Sequence, residues 1–229
     1  MVKAKISVVI PVYECHGRGI EFLDRLLKSV QKQSFKDYEI CVSDHSKDNS
    51  IYRFCRKHKM PIRYYHNLKN IENSSHNLNA AIRMAKGDII KPIFQDDYLF
   101  HEDALQIIHD ILSVGNYHWV VAGNNSTRNG KDYFNDYIPT WNDNIVYGHN
   151  TLSSPSCMAY KRCAEKWDER LVWLMDCEFY NRLYQKYGMP YLEKRILVTN
   201  FGHPGQYTHH ISSERKQWEV NLMKQEHGI

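Results

Sequence analysis

Residues 89–100 read IIKPIFQDDYLF, an apolar run that ends in two adjacent carboxylates, Asp96 and Asp97. A run of this kind, bounded by polar residues, predicts a buried strand that carries both acids to a sheet edge. In an open α/β sheet the ligand crevice lies beyond the carboxyl ends of the strands. Hard divalent cations take carboxylate oxygens there and complete their shells with water and phosphate oxygens, so the pair suits a metal-bound diphosphate. The local alternative is that Asp96 and Asp97 start a turn and cap a helix beginning near Glu102.

Outward from this stretch the chain alternates strand and helix. Residues 76–86 carry Leu78, Ala81, Ile82 and Ala85 at helical spacing and are closed by Gly87; residues 67–75 read as a loop and 62–65 as a short strand. Residues 38–42 predict a strand ending at Ser43 and Asp44, after which SKDNS (46–50) supplies cap residues for a helix with Ile51, Phe54 and Cys55 inward. Residues 6–10 predict a doubly buried strand stopped by Pro11, with Gly17 and Gly19 bending the next loop. Phe22, Leu23, Leu26, Leu27 and Val30 then form an amphipathic crossover helix. After the acids, Ala104, Leu105, Ile107, Ile108, Ile111 and Leu112 predict another helix, and 118–122 another strand. This βαβα rhythm defines an α/β layer structure of the nucleotide-binding type.

The second half differs. Residues 123–156 are rich in Asn, Asp, Tyr and Gly with little periodicity, and loops of that length are usually functional or mobile. The rings of Tyr133, Phe134, Tyr137, Trp141 and Tyr147 can lie against the apolar face of a sugar or pack locally. Residues 176–187 return to helical spacing. Asp176 precedes Phe179, Tyr180 and Leu183 on their inward face, whereas Glu178 is expected at the surface with Arg182. Residues 212–229 predict a C-terminal helix with a narrow stripe of Trp218 and Leu222, expected to dock on the domain, with membrane-surface or partner binding as the alternative.

With 229 residues, 42% hydrophobic and 24% charged, the chain suits one domain, 1–229, with functional halves 1–115 and 116–229. A net charge of +4 argues against nucleic acid as a partner. The 6 cysteines lack metal-type spacing and sit among apolar residues, as reduced thiols would. No apolar run reaches the roughly 18 residues of a transmembrane segment, and MVKAKISVVIPVYE turns polar too early for a signal peptide, so the expectation is a soluble, cytoplasmic protein. The glycosylation-type patterns at Asn73, Asn124 and Asn125 are then fortuitous.

Taken in order, ISVVIPVYE (6–14), VSDHSKDNS (42–50), HNLNAAIRMAKGD (76–88), FQDD (94–97) and WDERLVWLMDCEFYNRLYQKYG (167–188) resemble an inverting family 2 glycosyltransferase of the GT-A fold over residues 4–190. The resemblance implies a nucleotide-diphospho-sugar transferase fold, with a mostly parallel central sheet flanked by helices. It implies a nucleotide-diphosphate sugar donor, UDP-sugar favoured, and a glycan or other hydroxyl acceptor. Pro11, Tyr13 and Glu14 would face the nucleoside, Asp44 the base, and Asn79 the same pocket. Asp96 and Asp97 form a DXD-like motif, Asp97 holding Mn²⁺ or Mg²⁺ with Asp96 beside it on the donor, and Asp176 would be the catalytic base, with helix capping as its other reading. Glu14 stands where asparagine is common, Ser43-Asp44-His45-Ser46 replaces the frequent Asp-Asp-Gly-Ser, and Phe94 takes the first acid position of the longer pattern. FGHPGQYTHH (201–210) is expected to be a lid over the diphosphate, in which His209 completes the metal shell or simply packs. A non-catalytic nucleotide-sugar or glycan-binding subunit is the rival reading, opposed by the presence of both Asp97 and Asp176. A sugar nucleotidyltransferase would need a better phosphate loop than VYECHGRG (12–19).

Overall fold

The computed structural model describes residues 5–206 and 210–228. Strand β1, Ile6–Val12, is buried along its whole length because it has parallel neighbours on both sides, β2 (Tyr38–Asp44) and β4 (Ile89–Pro92). β3 (Ile62–His66) extends the sheet beyond β2, also in parallel. The register sets Val12 beside Asp44 and Asp44 beside His66, so these strands end at one edge. α1 (Gly19–Gln31) buries Phe22, Leu23, Leu26, Leu27 and Val30, the face its periodicity predicts. α2 is Ser50–Lys57 and α3 Ser74–Met84. α3 starts earlier than its apolar spacing suggests because Asn73 caps it, accepting the His76 N–H at 2.8 Å. Gly87 does not cap α3. It lets the backbone lie against β1, where an added Cβ would stand 2.7 Å from the Ser7 nitrogen.

The acids do not end a single long strand. The ladder stops at Pro92; Asp97 N–H closes a turn on the Phe94 carbonyl at 3.0 Å, and a two-residue strand β5 (Tyr98–Leu99) follows. α4 (Ala104–Val114) then leads into β6, which runs over Trp119–Thr127, well past the predicted end. β7 (Tyr133–Tyr137) folds back on β6 as a hairpin inside the stretch expected to be a loop. β6 tolerates polar residues because they are satisfied across strands: Asn124 Nδ2 donates to Asn200 Oδ1 at 2.7 Å and Asn125 Oδ1 accepts from Thr199 Oγ1 at 2.7 Å. Both asparagines are buried, so their glycosylation-type patterns present no amide to solvent.

β8 (Met158–Lys161), α5 (Met175–Tyr187), β9 (Tyr191–Phe201) and α6 (Ser213–His227) complete the chain. The strand order is β3-β2-β1-β4-β8-β6-β9-β5, with β7 also on β6. The sheet is α/β and flanked by helices but mixed: β4–β8, β5–β9, β6–β7 and β6–β8 are antiparallel. Parallel pairing is confined to β1–β4 and to β6–β9, where a helical crossover joins or separates the strands. The core spans both halves, with Trp119, Tyr160, Trp167, Phe179 and Tyr180 fully buried and Trp167 stacked on Phe179 at 4.1 Å. The cysteines are free thiols, all buried except the half-buried Cys163. No helix among the described residues is long and apolar enough to cross a membrane.

Candidate active site

The β1 loop is shaped by a side chain from the acid-bearing turn. Gln95 clasps Tyr13 at both backbone groups, accepting its N–H at 2.7 Å and donating to its carbonyl at 3.0 Å. Beyond Pro11, buried in β1, and the half-buried Tyr13 and Glu14, the chain doubles back. Cys15, His16 and Gly17 have positive φ, and the Glu14 carbonyl accepts N–H bonds from both Gly17 and Gly19. At the end of β2, buried Asp44 accepts from Ser46 N–H at 2.7 Å and from the Tyr64 hydroxyl at 2.5 Å, while burial raises its carboxyl above the ordinary range. His45 stacks on His76 with ring centroids 5.9 Å apart. Burial depresses its pKa to about 4, leaving a neutral ring whose Nε2 has no partner among the described residues.

Of the two asparagines on α3, Asn77 is the one that faces this edge. It donates to the Val12 carbonyl at 3.0 Å and accepts from Ser43 Oγ at 2.7 Å, tying the ends of β1 and β2 together. Asn79 directs its amide to the Trp167 backbone, at 2.8 and 3.0 Å, and to Glu169 Oε1 at 3.0 Å.

Asp97 is buried, with its Oδ1 accepting the Phe201 N–H at 3.2 Å. Burial first, and then the charge of Asp96, raise its pKa. Asp96 is half-buried; its Oδ2 lies 3.2 Å from His203 Nε2, and its carbonyl accepts Arg25 Nη2 at 2.9 Å. Beneath the acids, fully buried Lys91 donates to the carbonyls of Pro92, Ser156 and Met158, and burial lowers its pKa to about 8.

Asp176 sits in the first turn of α5, half-buried, and burial raises its pKa to about 6. Its Oδ1 accepts the Cys177 N–H at 2.8 Å and its Oδ2 accepts Asn150 Nδ2 at 2.7 Å. The N-cap of α5 is Leu174, not Asp176. The 150–154 segment joins the two acidic centres: Asn150 bonds Asp176, Ser154 Oγ accepts Asn200 Nδ2 at 2.9 Å, and the N–H of the next residue, Phe201, bonds Asp97. Glu178, expected at the surface, is instead buried, because its carboxylate is clasped by Arg182 at 2.5 and 2.7 Å and Arg182 lies over the Phe179 ring.

His209 lies outside the described residues, so part of the expected lid does as well. The imidazole that meets the acids is His203, which also packs on Phe22 with centroids 4.8 Å apart. Its place in the same Gly-flanked stretch was the only sequence signal for it. The donor set suits a hard cation: the charge of Asp96 adds to the cost of ionising Asp97, which a bound cation would relieve. Among the described residues no group of three or more His, Cys, Asp or Glu is placed to hold a metal unaided. Of the five rings singled out, Trp141 packs against Tyr184 and Trp119, while Tyr133, Phe134, Tyr137 and Tyr147 stay exposed. A cavity of about 520 Å³ between α1 and β5 is lined by Arg25, Phe100 and Tyr133 but by neither Asp97 nor Asp176.

The ends of β1 and β2, the two acids in the turn after β4 and Asp176 in the first turn of α5 make up the candidate site. Residues 7–162 match Glycosyl transferase family 2, and the chain belongs to that family. A curated relative, the poly(ribitol-phosphate) beta-glucosyltransferase of Bacillus spizizenii, is 36% identical over 109 residues, 44% of this chain and 16% of that protein's length. Among solved structures, TarS residues 1–349 of S. aureus in complex with UDP-GlcNAc superposes with a TM-score of 0.64 at 18% identity, over 96% of this chain and 65% of that one. The mannosyltransferase PcManGT of Pyrobaculum calidifontis, in complex with GDP-Man and Mn²⁺, gives 0.64 at 16% identity, over 90% and 59%. The fold is thus of the GT-A type.

Proposed function

We propose that this chain, as one domain, transfers a sugar from a nucleotide-diphosphate sugar, UDP-sugar favoured, to the hydroxyl of a glycan or other acceptor with inversion. The observation that carries the proposal is the link from Asp97, which accepts the Phe201 N–H, through neighbouring Asn200, Ser154 and the 150–154 segment to Asn150 and Asp176. Family membership and the nucleotide sugars bound by TarS and PcManGT support it.

Asp44 and the backbone of residues 11–14 hold the nucleoside, with Gln95 and Asn77 keeping that backbone in place. Asp97, with Asp96 beside it, would hold Mn²⁺ or Mg²⁺, whose charge would stabilise the departing diphosphate. Asp176 takes the acceptor proton as general base. Its raised pKa, about 6, leaves it ionised at neutral pH yet more basic than an ordinary aspartate. Attack from the face opposite the leaving diphosphate inverts the anomeric carbon without a glycosyl-enzyme intermediate. The free thiols support a reducing, cytoplasmic setting.

A nucleotide-sugar panel with Mn²⁺, read as released nucleoside diphosphate with and without acceptor glycans, tests the proposal. Acceptor-dependent release from one donor is expected. Tight donor binding with no release under any acceptor would make the chain a binding subunit instead.

A further inference from the structure

Among its contacts with the rest of the chain, α6 reaches the residues before α5 through a buried carboxylate. Glu219 has no solvent exposure, and it accepts the backbone N–H groups of Val172 at 3.1 Å and of Trp173 and Leu174 at 2.9 Å each. Arg215, one turn earlier on α6, donates to Glu219 at 2.8 Å and also reaches the Arg170 carbonyl. Burying a carboxylate is costly unless its oxygens are fully bonded, and here three N–H groups and a guanidinium bond them.

Those N–H groups belong to the residues that lead directly into α5, whose N-cap Leu174 has no side-chain cap of its own. Asp176 is the second residue of that helix. The direction of its side chain therefore depends on how residues 172–174 are held. The same segment is fixed from the donor side, where Ser75 Oγ donates to the Leu171 carbonyl at 2.7 Å and Asn73 Nδ2 to the Glu169 carbonyl at 2.6 Å. Ser75 and Asn73 stand at the start of α3, next to Asn77 at the nucleoside edge.

We propose that Glu219 is a positioning residue for transfer: from α6 it fixes the backbone leading into α5 and so aims Asp176 at the acceptor hydroxyl. The proposal rests on the reading of Asp176 as the base. A residue that only stabilised the fold would lower donor affinity and turnover together, as folded protein was lost. One that aims the base lowers turnover alone.

The test compares wild type, Glu219→Ala, Glu219→Gln and Asp176→Asn in the full chain. Turnover uses the donor and acceptor returned by the panel, and affinity is measured by calorimetry with the matching nucleoside diphosphate and Mn²⁺. The expected result for Glu219→Ala is a kcat about tenfold or more below wild type, with nucleotide affinity within about twofold. Glu219→Gln keeps one oxygen for the N–H groups and is expected to recover part of the rate. If Glu219→Ala fails to fold, Glu219→Gln alone decides: reduced kcat at unchanged affinity supports the proposal, and wild-type kcat overturns it. A parallel fall of kcat and affinity in either folded variant also overturns it. Fully active Glu219 variants beside an inactive Asp176→Asn overturn the positioning role alone, whereas an active Asp176→Asn overturns the base assignment and the positioning role with it.

Discussion

Asp176 shows how one carboxylate combines a cost with a use. Burial lifts its pKa to about 6, against about 3.9 for an unperturbed aspartate. Because the folded-state value is raised, its contribution to stability is full below about pH 4 and is lost as pH rises through about 6. Asp176→Asn cannot ionise, so its stability relative to wild type should improve by up to about 3 kcal/mol between pH 4 and pH 7, read from urea titrations at each pH. A pH-independent difference would show that the carboxyl is not perturbed by folding. The same substitution should reduce transfer by a factor of about 10² or more while nucleotide affinity is kept, and wild-type transfer should show an acidic limb near pH 6. At the paired acids, Asp97→Ala is expected to abolish Mn²⁺-dependent binding of nucleoside diphosphate in calorimetry, and Asp96→Ala to weaken it less. Binding by Asp97→Ala equal to wild type, or binding indifferent to a chelator, would remove Asp97 from the metal site.

Among elements, α3 joins the two halves with two differently aimed asparagines. Asn77 ties the ends of β1 and β2, and Asn79 grips the 167–169 segment. Asn79→Ala would strand the Trp167 backbone bonds, at about 1 kcal/mol for each neutral bond lost, so a destabilisation of about 2–3 kcal/mol is expected. Donor affinity should survive in the folded fraction. A loss of affinity without loss of stability would instead put Asn79 in the nucleoside pocket. On α6 helical spacing finds only part of the docking face: of its apolar stripe, Leu222 packs half-buried on the core while Trp218 is exposed, and the fully buried residues are Glu219 and Met223. An acid reads as a surface residue until a partner with unbonded N–H groups is known.

For the whole molecule, the join between the parallel β1–β4 half and the mixed remainder runs through β4 and β8, and Lys91 crosses it. Its ammonium donates to Pro92 on β4 and to the carbonyls of Ser156 and Met158 across the join. Lys91→Met fills the space but leaves these buried carbonyls unbonded, at about 1–3 kcal/mol each, so a destabilisation of about 3 kcal/mol or more is expected in urea titrations. Near-neutral stability would mean that water or backbone shifts replace the ammonium. Loss of the ammonium is also expected to raise the Asp97 pKa further, since the two opposite charges interact and Asp97 raises the pKa of Lys91.

The parallel N-terminal half of the fold, the acidic turn and the Asp176 helix were legible in the sequence, because each depends on periodicity, caps and strand ends within a dozen or so neighbouring residues. Even there, Pro92 and the Phe94–Asp97 turn made two strands of one apolar run. β7, β8 and β9 were not legible, for polar residues such as Asn124 and Thr199 join a strand only when another strand supplies their partners. The same holds for His203 beside Asp96, Gln95 on Tyr13 and Glu219 before α5, whose partners are 107, 82 and 45 to 47 residues away in the chain. Local sequence determines which residues can form strands, turns and helix faces. Only tertiary structure decides which distant donor meets which acceptor, since hydrogen bonding and charge are satisfied in space and leave no period in the chain.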